Sequence, residues 1–519
     1  MNSTARLTAL HRTYIATCIS VMLLAGCAVG PDFQQPEAPK IADASRPYTA
    51  NPLPAQTASA SGIAGSAQSF INGQDIPAQW WEIFRSEPLD RLIRSALTRS
   101  PTLASAQAAL RQAQASYDAD AGNKLFPNVS AQIGPTRQRV SPLTSGIPGG
   151  GIYTLYNASV NVSYTLDVFG ATRRDLEGLQ AAIDYQRYQV EAAYLSLTAN
   201  LVTTAVQEAS LRAQIQATLE VIDAQSKSLT IVENQAALGA IARSTVLAQR
   251  TQLAQTRATL PALEKGLAQT RHQLAVYAGR LPNDDGLPQF SLESIQLPQD
   301  LPVSLPSSLI RQRPDIRASE ALLHQASAQI GVATANMYPQ ITLSGSAGSQ
   351  SLTFGNLFSA GSAVWGIGGS LLQPIFNGGA LRAQKRGAIA AYEQAQAQYQ
   401  QTVLNAFLNV ANTLQALDSD AQTLQAQDEA ASMARQQLDL VSGQYKLGAI
   451  SYLSLLDAQR TYQQTRISLA QAQAARYADT AALFQALGGG WWNRTELAEV
   501  PATTTIESSM MPDAKAPSP

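Results

Sequence analysis

Two stretches of this chain repeat each other at an offset of roughly 210 residues, and that duplication restricts the possible folds more than any other feature. Pro101-Thr102-Leu103 through Gln112-Ala113 recurs as Pro314-Asp315-Ile316 through Gln325-Ala326. Phe126-Pro127-Asn128-Val129 is echoed by Tyr338-Pro339-Gln340-Ile341. Leu238-Gly239-Ala240-Ile241 returns as Leu447-Gly448-Ala449-Ile450, and the two segments run on to Gln255-Thr256-Arg257 and Gln464-Thr465-Arg466. The order is the same in both halves, so one supersecondary unit is used twice.

Each unit reads as a short helix, two strands and two long helices. In the first unit a helix over about 88–122 is stopped by Pro127, which also opens a strand. Val160, Val162, Tyr164 and Leu166 alternate with Ser159, Asn161, Ser163 and Thr165, a period of two. Ile341 and Leu343 alternate with Thr342 and Ser344, and Trp365, Ile367 and Leu371 continue the pattern in a fourth strand. The loops at 141–151 and 349–362 are rich in Gly and Ser. Neither Gly nor Pro occurs from Leu179 to Leu238 or from Ala388 to Ser442. About 60 residues at 1.5 Å each make a rod of roughly 90 Å. Val403, Phe407, Val410, Leu414, Leu417 and Leu424 fall on spacings of four and three. Val190, Tyr194, Leu197, Leu201, Leu211, Ile215, Ile222 and Leu229 fit the same register, that of coiled-coil packing.

The ends read differently. Arg6 and Arg12 precede an apolar run from Tyr14 to Ala25, too short to span a bilayer, so 1–26 is expected to be a signal peptide. It ends in Leu24-Ala25-Gly26-Cys27, which resembles the bacterial lipobox and makes Cys27 the expected lipid attachment. Prolines at 31, 36, 39, 47, 52 and 54 make 27–79 an expected lipid-anchored extended linker, and 491–519 an expected disordered tail. Between them the expected divisions are 80–280 (strands about 126–138 and 153–168, helical hairpin about 172–280), a linker or equatorial segment at 281–310, and 311–490 (strands about 339–350 and 363–375, hairpin about 380–487).

Composition excludes several functions. Only 14% of the residues are charged and the net charge is -1, against nucleic acid as a partner. The histidines are His11, His272 and His324, too few and too scattered for a metal cluster or catalytic triad, so neither enzyme activity nor a cofactor is expected. Cys18 and Cys27 are the only cysteines, so no disulfide is expected in the mature chain.

Four strands cannot close a barrel, since bacterial outer-membrane barrels have at least eight, and open edges in lipid leave backbone groups unpaired. A homotrimer would supply a twelve-stranded transmembrane β-barrel continued by a twelve-helix α-barrel, with apolar strand faces toward lipid. The fold class is therefore mixed and mainly helical.

These residues carry a family resemblance. The chain resembles the TolC-like outer membrane efflux factors, and within them the lipidated OprM-type branch, from Cys27 to about Leu487. The motifs are Gly26-Cys27-Ala28-Val29-Gly30-Pro31-Asp32-Phe33, Trp80-Trp81, Arg313-Pro314-Asp315-Ile316-Arg317, Ile330-Gly331-Val332-Ala333, Gln373-Pro374-Ile375-Phe376-Asn377-Gly378-Gly379 and Leu455-Leu456-Asp457-Ala458-Gln459-Arg460. The resemblance implies a passive exit duct of a tripartite efflux pump in the cell outer membrane, reaching into the periplasm to meet an adaptor protein and an inner-membrane pump of the RND type. It implies that the hairpin tips, Leu238-Gly239-Ala240 and Leu447-Gly448-Ala449, dock the adaptor. It also implies that Leu453 and Asp457, one helical turn apart, line the channel gate and that Tyr445 braces its closed state. Ile450 stands where the family has a basic bracing residue. A structural periplasm-spanning lipoprotein and the outer-membrane duct of a type I protein secretion system stay open as alternatives.

Overall fold

The computed structural model describes residues 28–36, 48–49, 52–141, 151–304 and 306–494. The expected signal peptide and Cys27 lie outside the described residues. In chain order the elements are β1 (Ser69–Asn72), α1 (Glu87–Arg99), α2 (Pro101–Leu125), β2 (Asn128–Val140), β3 (Gly151–Leu166), α3 (Ala171–Ala237) and α4 (Arg243–Tyr277). They continue with β4 (Asp300–Val303), α5 (Pro306–Gln312), α6 (Pro314–Ala335), β5 (Gln340–Ser351), β6 (Ala363–Leu372), α7 (Ala380–Lys446) and α8 (Tyr452–Ala486). The duplication is visible in the element lengths: α3 and α7 each have 67 residues, and α4 and α8 each have 35. At 1.5 Å per residue the long helices reach about 100 Å. Among the described residues no helix is long and apolar enough to cross a membrane.

The long helices begin alike. Gly170 and Gly379 hold φ of 79° and 85°, a left-handed conformation natural to glycine, and this turns each chain from strand to helix. The single helix expected over 88–122 is two helices. Pro101 has no N–H to continue α1, and the Ser100 side chain accepts from the Leu103 N–H at 3.4 Å to start α2.

The core lies in a belt where both hairpins pass the N-terminal segment. Trp80, Trp81 and Phe84 are buried there with Leu201, Val202, Leu274, Phe290 and Tyr477, and Trp80 stacks on Phe484 at 5.6 Å. Two expectations are corrected in this belt. The segment 52–79 is no free tether: β1 pairs in parallel with β4, and the buried Arg476 of α8 donates to Gln68 Oε1 at 2.7 Å and Thr57 Oγ1 at 3.1 Å. Backbone pairing and side-chain hydrogen bonds hold it, with Ala64 and Ile76 buried in the belt core and no regular apolar period along the segment. Nor does the expected tail begin at 491. Trp491 Nε1 donates to the Gln312 carbonyl at 2.6 Å, and Arg494 pairs with the buried Glu191 while lying 4.2 Å over the Tyr194 ring. Residues 495–519 lie outside the described residues.

Candidate functional site

Three features bear on transport: the sheet, the helical tips and the corner where strands meet helices. The sheet has the order β2-β3-β5-β6, antiparallel throughout, which leaves β2 and β6 as open edges. Its register sorts the side chains by chemistry. Val129 faces Val162, Ala131 faces Val160, Leu343 faces Tyr164, and Leu371 faces Ile341. The neighbouring positions pair Asn128 with Ser163, Ser130 with Asn161, and Thr342 with both Thr165 and Ser370. Because successive side chains point to opposite faces, one face is apolar over all four strands and the other polar. Among the described residues most of the apolar face is bare, apart from the end where Phe354 meets the Tyr156 ring: Ile133, Trp365 and Ile367 are 67%, 78% and 86% exposed. An apolar outer face and a polar inner face are what a barrel wall in lipid requires.

At the far ends of the helices the expected tips turn as a matched pair. Gly239 (φ 73°) donates to the Ala236 carbonyl at 3.0 Å and Ala240 to that of Gln235 at 2.9 Å. Gly448 (φ 72°) donates to Tyr445 at 2.9 Å and Ala449 to Gln444 at 2.9 Å. Both are Schellman turns, which need a left-handed residue one past the cap. Leu238 and Leu447, just before the two glycines, are each 85% exposed, so each tip presents an apolar side chain to solvent.

Of the three expected gate residues, the chain places Leu453 and Asp457 on the exposed face of α8, and Tyr445 on the other side of the turn. Tyr445 lies among the side chains of a small tip core of Val232, Val246, Tyr452, Leu455 and Leu456, its ring centroid 5.2 Å from that of Tyr452. Burial raises the pKa of both phenols, that of Tyr452 further. Tyr452 donates to Gln249 Oε1, and Tyr445 reaches Gln235 Oε1 at 3.5 Å, so the two hairpins are tied together beside Leu453 and Asp457. Sequence reasoning missed Tyr452, Gln235 and Gln249. The seven-residue spacing of the two tyrosines was the one visible signal.

At the opposite end of the helices, the residues that follow Cys27 are clamped to the corner between β3 and α3. Val29 N–H donates to the Phe169 carbonyl at 3.1 Å, Asp32 pairs with Arg174 at 2.5 Å, and Phe33 stacks on His324 at 4.2 Å. A Cβ on Gly30 would lie 2.5 Å from Gly331 Cα, so the contact needs glycine at position 30. Among the described residues no group of three or more His, Cys, Asp or Glu could hold a metal ion.

This geometry has counterparts in known proteins. The family model described as outer membrane efflux protein matches residues 92–280 and 305–489. The chain is 32% identical to the pyoverdine export outer membrane protein OpmQ of Pseudomonas aeruginosa, over 80% of this chain and 87% of that one. It is 30% identical to the probable efflux pump outer membrane protein TtgC of Pseudomonas putida, over 93% of this chain and 97% of that one. Among solved structures, the outer-membrane channel OprN superposes with a TM-score of 0.79 at 28% identity, covering 90% of this chain and all of that chain.

Proposed function

The chain belongs to the outer membrane efflux protein family, whose members are transport ducts of efflux pumps and not enzymes, and on that premise we propose how its own residues serve such a channel. Leu453 closes the passage sterically and Asp457 adds a ring of negative charge, with three copies of each brought near the axis. Tyr445 and Tyr452, tied to Gln235 and Gln249, hold the two hairpins together beside them and so brace the closed position. The observation that carries this reading is the placement of Leu453 and Asp457 on the bare face of α8, opposite the tip core that fixes that helix. Single-channel conductance tests it: Leu453→Ala is expected to raise conductance, and Asp457→Ala to remove sensitivity to divalent cations. Unchanged behaviour in both variants sinks the gate.

The exposed Leu238 and Leu447 dock a periplasmic adaptor, whose partner is an inner-membrane pump of the RND type. Cys27 carries a lipid. Support for that anchor comes from residues 28–33, which sit at the strand-to-helix corner, the level at which a chain leaving the barrel meets the periplasmic leaflet.

A further inference from the structure

Charge is almost absent from the sheet and its loops. From Phe126 to Leu166 and from Tyr338 to Gly379 the sequence has no Asp, Glu, Lys or His, and its only charged residues there are Arg137 and Arg139. Both lie on β2 and both are exposed. Being two positions apart, they share a face of the sheet, and the register says which one. Val129, Ala131 and Ile133 hold the same alternate positions and belong to the apolar face, while Asn128, Ser130 and Gln132 lie on the polar one. The two guanidinium groups therefore leave the wall on the side of the lipid, not of the passage.

Their height is fixed as well. β3 pairs with β5 from Tyr156 to Leu166, so the β2–β3 hairpin projects beyond β5 by the five residues Gly151 to Leu155, about 17 Å, at the end away from the helices. Arg137, opposite Thr154, and Arg139, opposite Ile152, stand on that projection. Just below it Tyr156 meets Phe354 of the β5–β6 loop, with ring centroids 5.7 Å apart. Lower on the same face lies a groove of about 360 Å³, bordered by Ala131, Ala158, Val160 and Ala347 and by Phe358 of that loop. From Ala131 to Arg137 is about 20 Å along the strand, or roughly 15 Å of depth at the usual barrel tilt. That is the hydrocarbon thickness of one leaflet.

We propose that Arg137 and Arg139 hold the phosphate of a phosphorylated lipid of the outer leaflet, whose acyl chain runs down the apolar face into the groove beside Phe358. The inference rests on the barrel reading of the sheet. No carboxylate partner can come from the sheet or its loops, and a second copy of them brings none, so the neutralising charge comes from the membrane. The planar forks of two arginines match phosphate oxygens, which accept paired N–H donors. Tyr156 and Phe354 stand where aromatic rings border the hydrocarbon of a barrel. The alanines below leave room for a chain where larger side chains would fill the face.

Intact-mass spectrometry of the detergent-purified protein tests the site, with diphosphorylated lipid A as the probe. The wild type is expected to retain the lipid, whereas lipid A stripped of its phosphates is lost. Arg137→Gln/Arg139→Gln lowers retention by roughly tenfold or more, the equivalent of one charge-assisted hydrogen bond. Ala131→Trp fills the groove, leaves both charges in place and also weakens retention, and inorganic phosphate does not displace the lipid. Heat-modifiable mobility and conductance, which follow assembly independently, stay unchanged in these variants. An assembled, conducting channel whose retention either variant leaves unchanged, or from which inorganic phosphate alone displaces the lipid, overturns the site and leaves the barrel reading intact. Wild-type protein that neither assembles nor conducts overturns both.

Discussion

Asp479 on α8 shares a hydrogen bond with Asp420 on α7, and burial, with that carboxylate neighbour second, raises its pKa to about 8. In the unfolded chain an aspartate releases its proton near pH 4, at about 3.9. Between these values the folded state keeps a proton that the unfolded state has lost, so folding stability falls as pH rises across that window. Asp479→Asn keeps a neutral hydrogen-bonding group and removes the titration. Its melting temperature is expected to exceed that of the wild type by a few degrees at pH 8, with the gap closing toward pH 4. Two melting curves that stay parallel over the whole range would show that the pair holds no shared proton. Glycine acts at the same scale by a different route. Gly239 and Gly448 were legible as tips because a left-handed turn has few other occupants, while the need for glycine at position 30 arises from a contact 301 positions away along the chain and leaves no local sign.

Among the elements, what could be read from sequence depended on whether packing was apolar. The four-three spacing on α7 marked its buried stripe: Val403, Val410, Leu414, Leu417 and Leu424 are buried, with Phe407 packed at the edge of the same cluster. On α3 the same reasoning is half right. Leu197, Leu201 and Leu211 are buried, but Ile215 and Ile222 are only half-buried, while Thr218 and, on α4, Gln249 are fully enclosed and hydrogen-bonded. Polar residues that pack through hydrogen bonds leave no hydrophobic period to detect, and 52–79, held by backbone pairing and by irregularly spaced apolar residues as well, leaves none either. The pair Tyr452 and Gln249 shows the energetic side. Tyr452→Phe leaves the Gln249 oxygen unpaired where no water reaches it, at a cost of about 1–3 kcal/mol. Because the tip core is separate from the belt core, the loss should be local. Hydrogen exchange is expected to accelerate near 229–249 and 441–456 while the belt around Trp80 keeps its protection. Uniform acceleration, or none, would refute a separate tip.

For the whole molecule the sheet register decides which face meets lipid, and the choice can be tested with one residue type. Ile367 lies on the apolar face beside Gly345, and Ser346 one position further along the same ladder lies on the polar face beside Gly366. An arginine facing hydrocarbon at mid-barrel costs about 2–4 kcal/mol, whereas one facing a water-filled passage costs little and changes its selectivity. Ile367→Arg is therefore expected to deplete the assembled form from the outer membrane. Ser346→Arg should assemble normally and shift the ion selectivity of the pore toward anions, with three added charges around the passage. Heat-modifiable mobility on gels reads assembly, and reversal potentials in planar bilayers read selectivity. The reverse pattern, with Ser346→Arg blocking assembly and Ile367→Arg tolerated, would turn the wall inside out. The same four strands would then enclose the apolar face, and the polar face could not sit in lipid, so no membrane barrel could be built from this register.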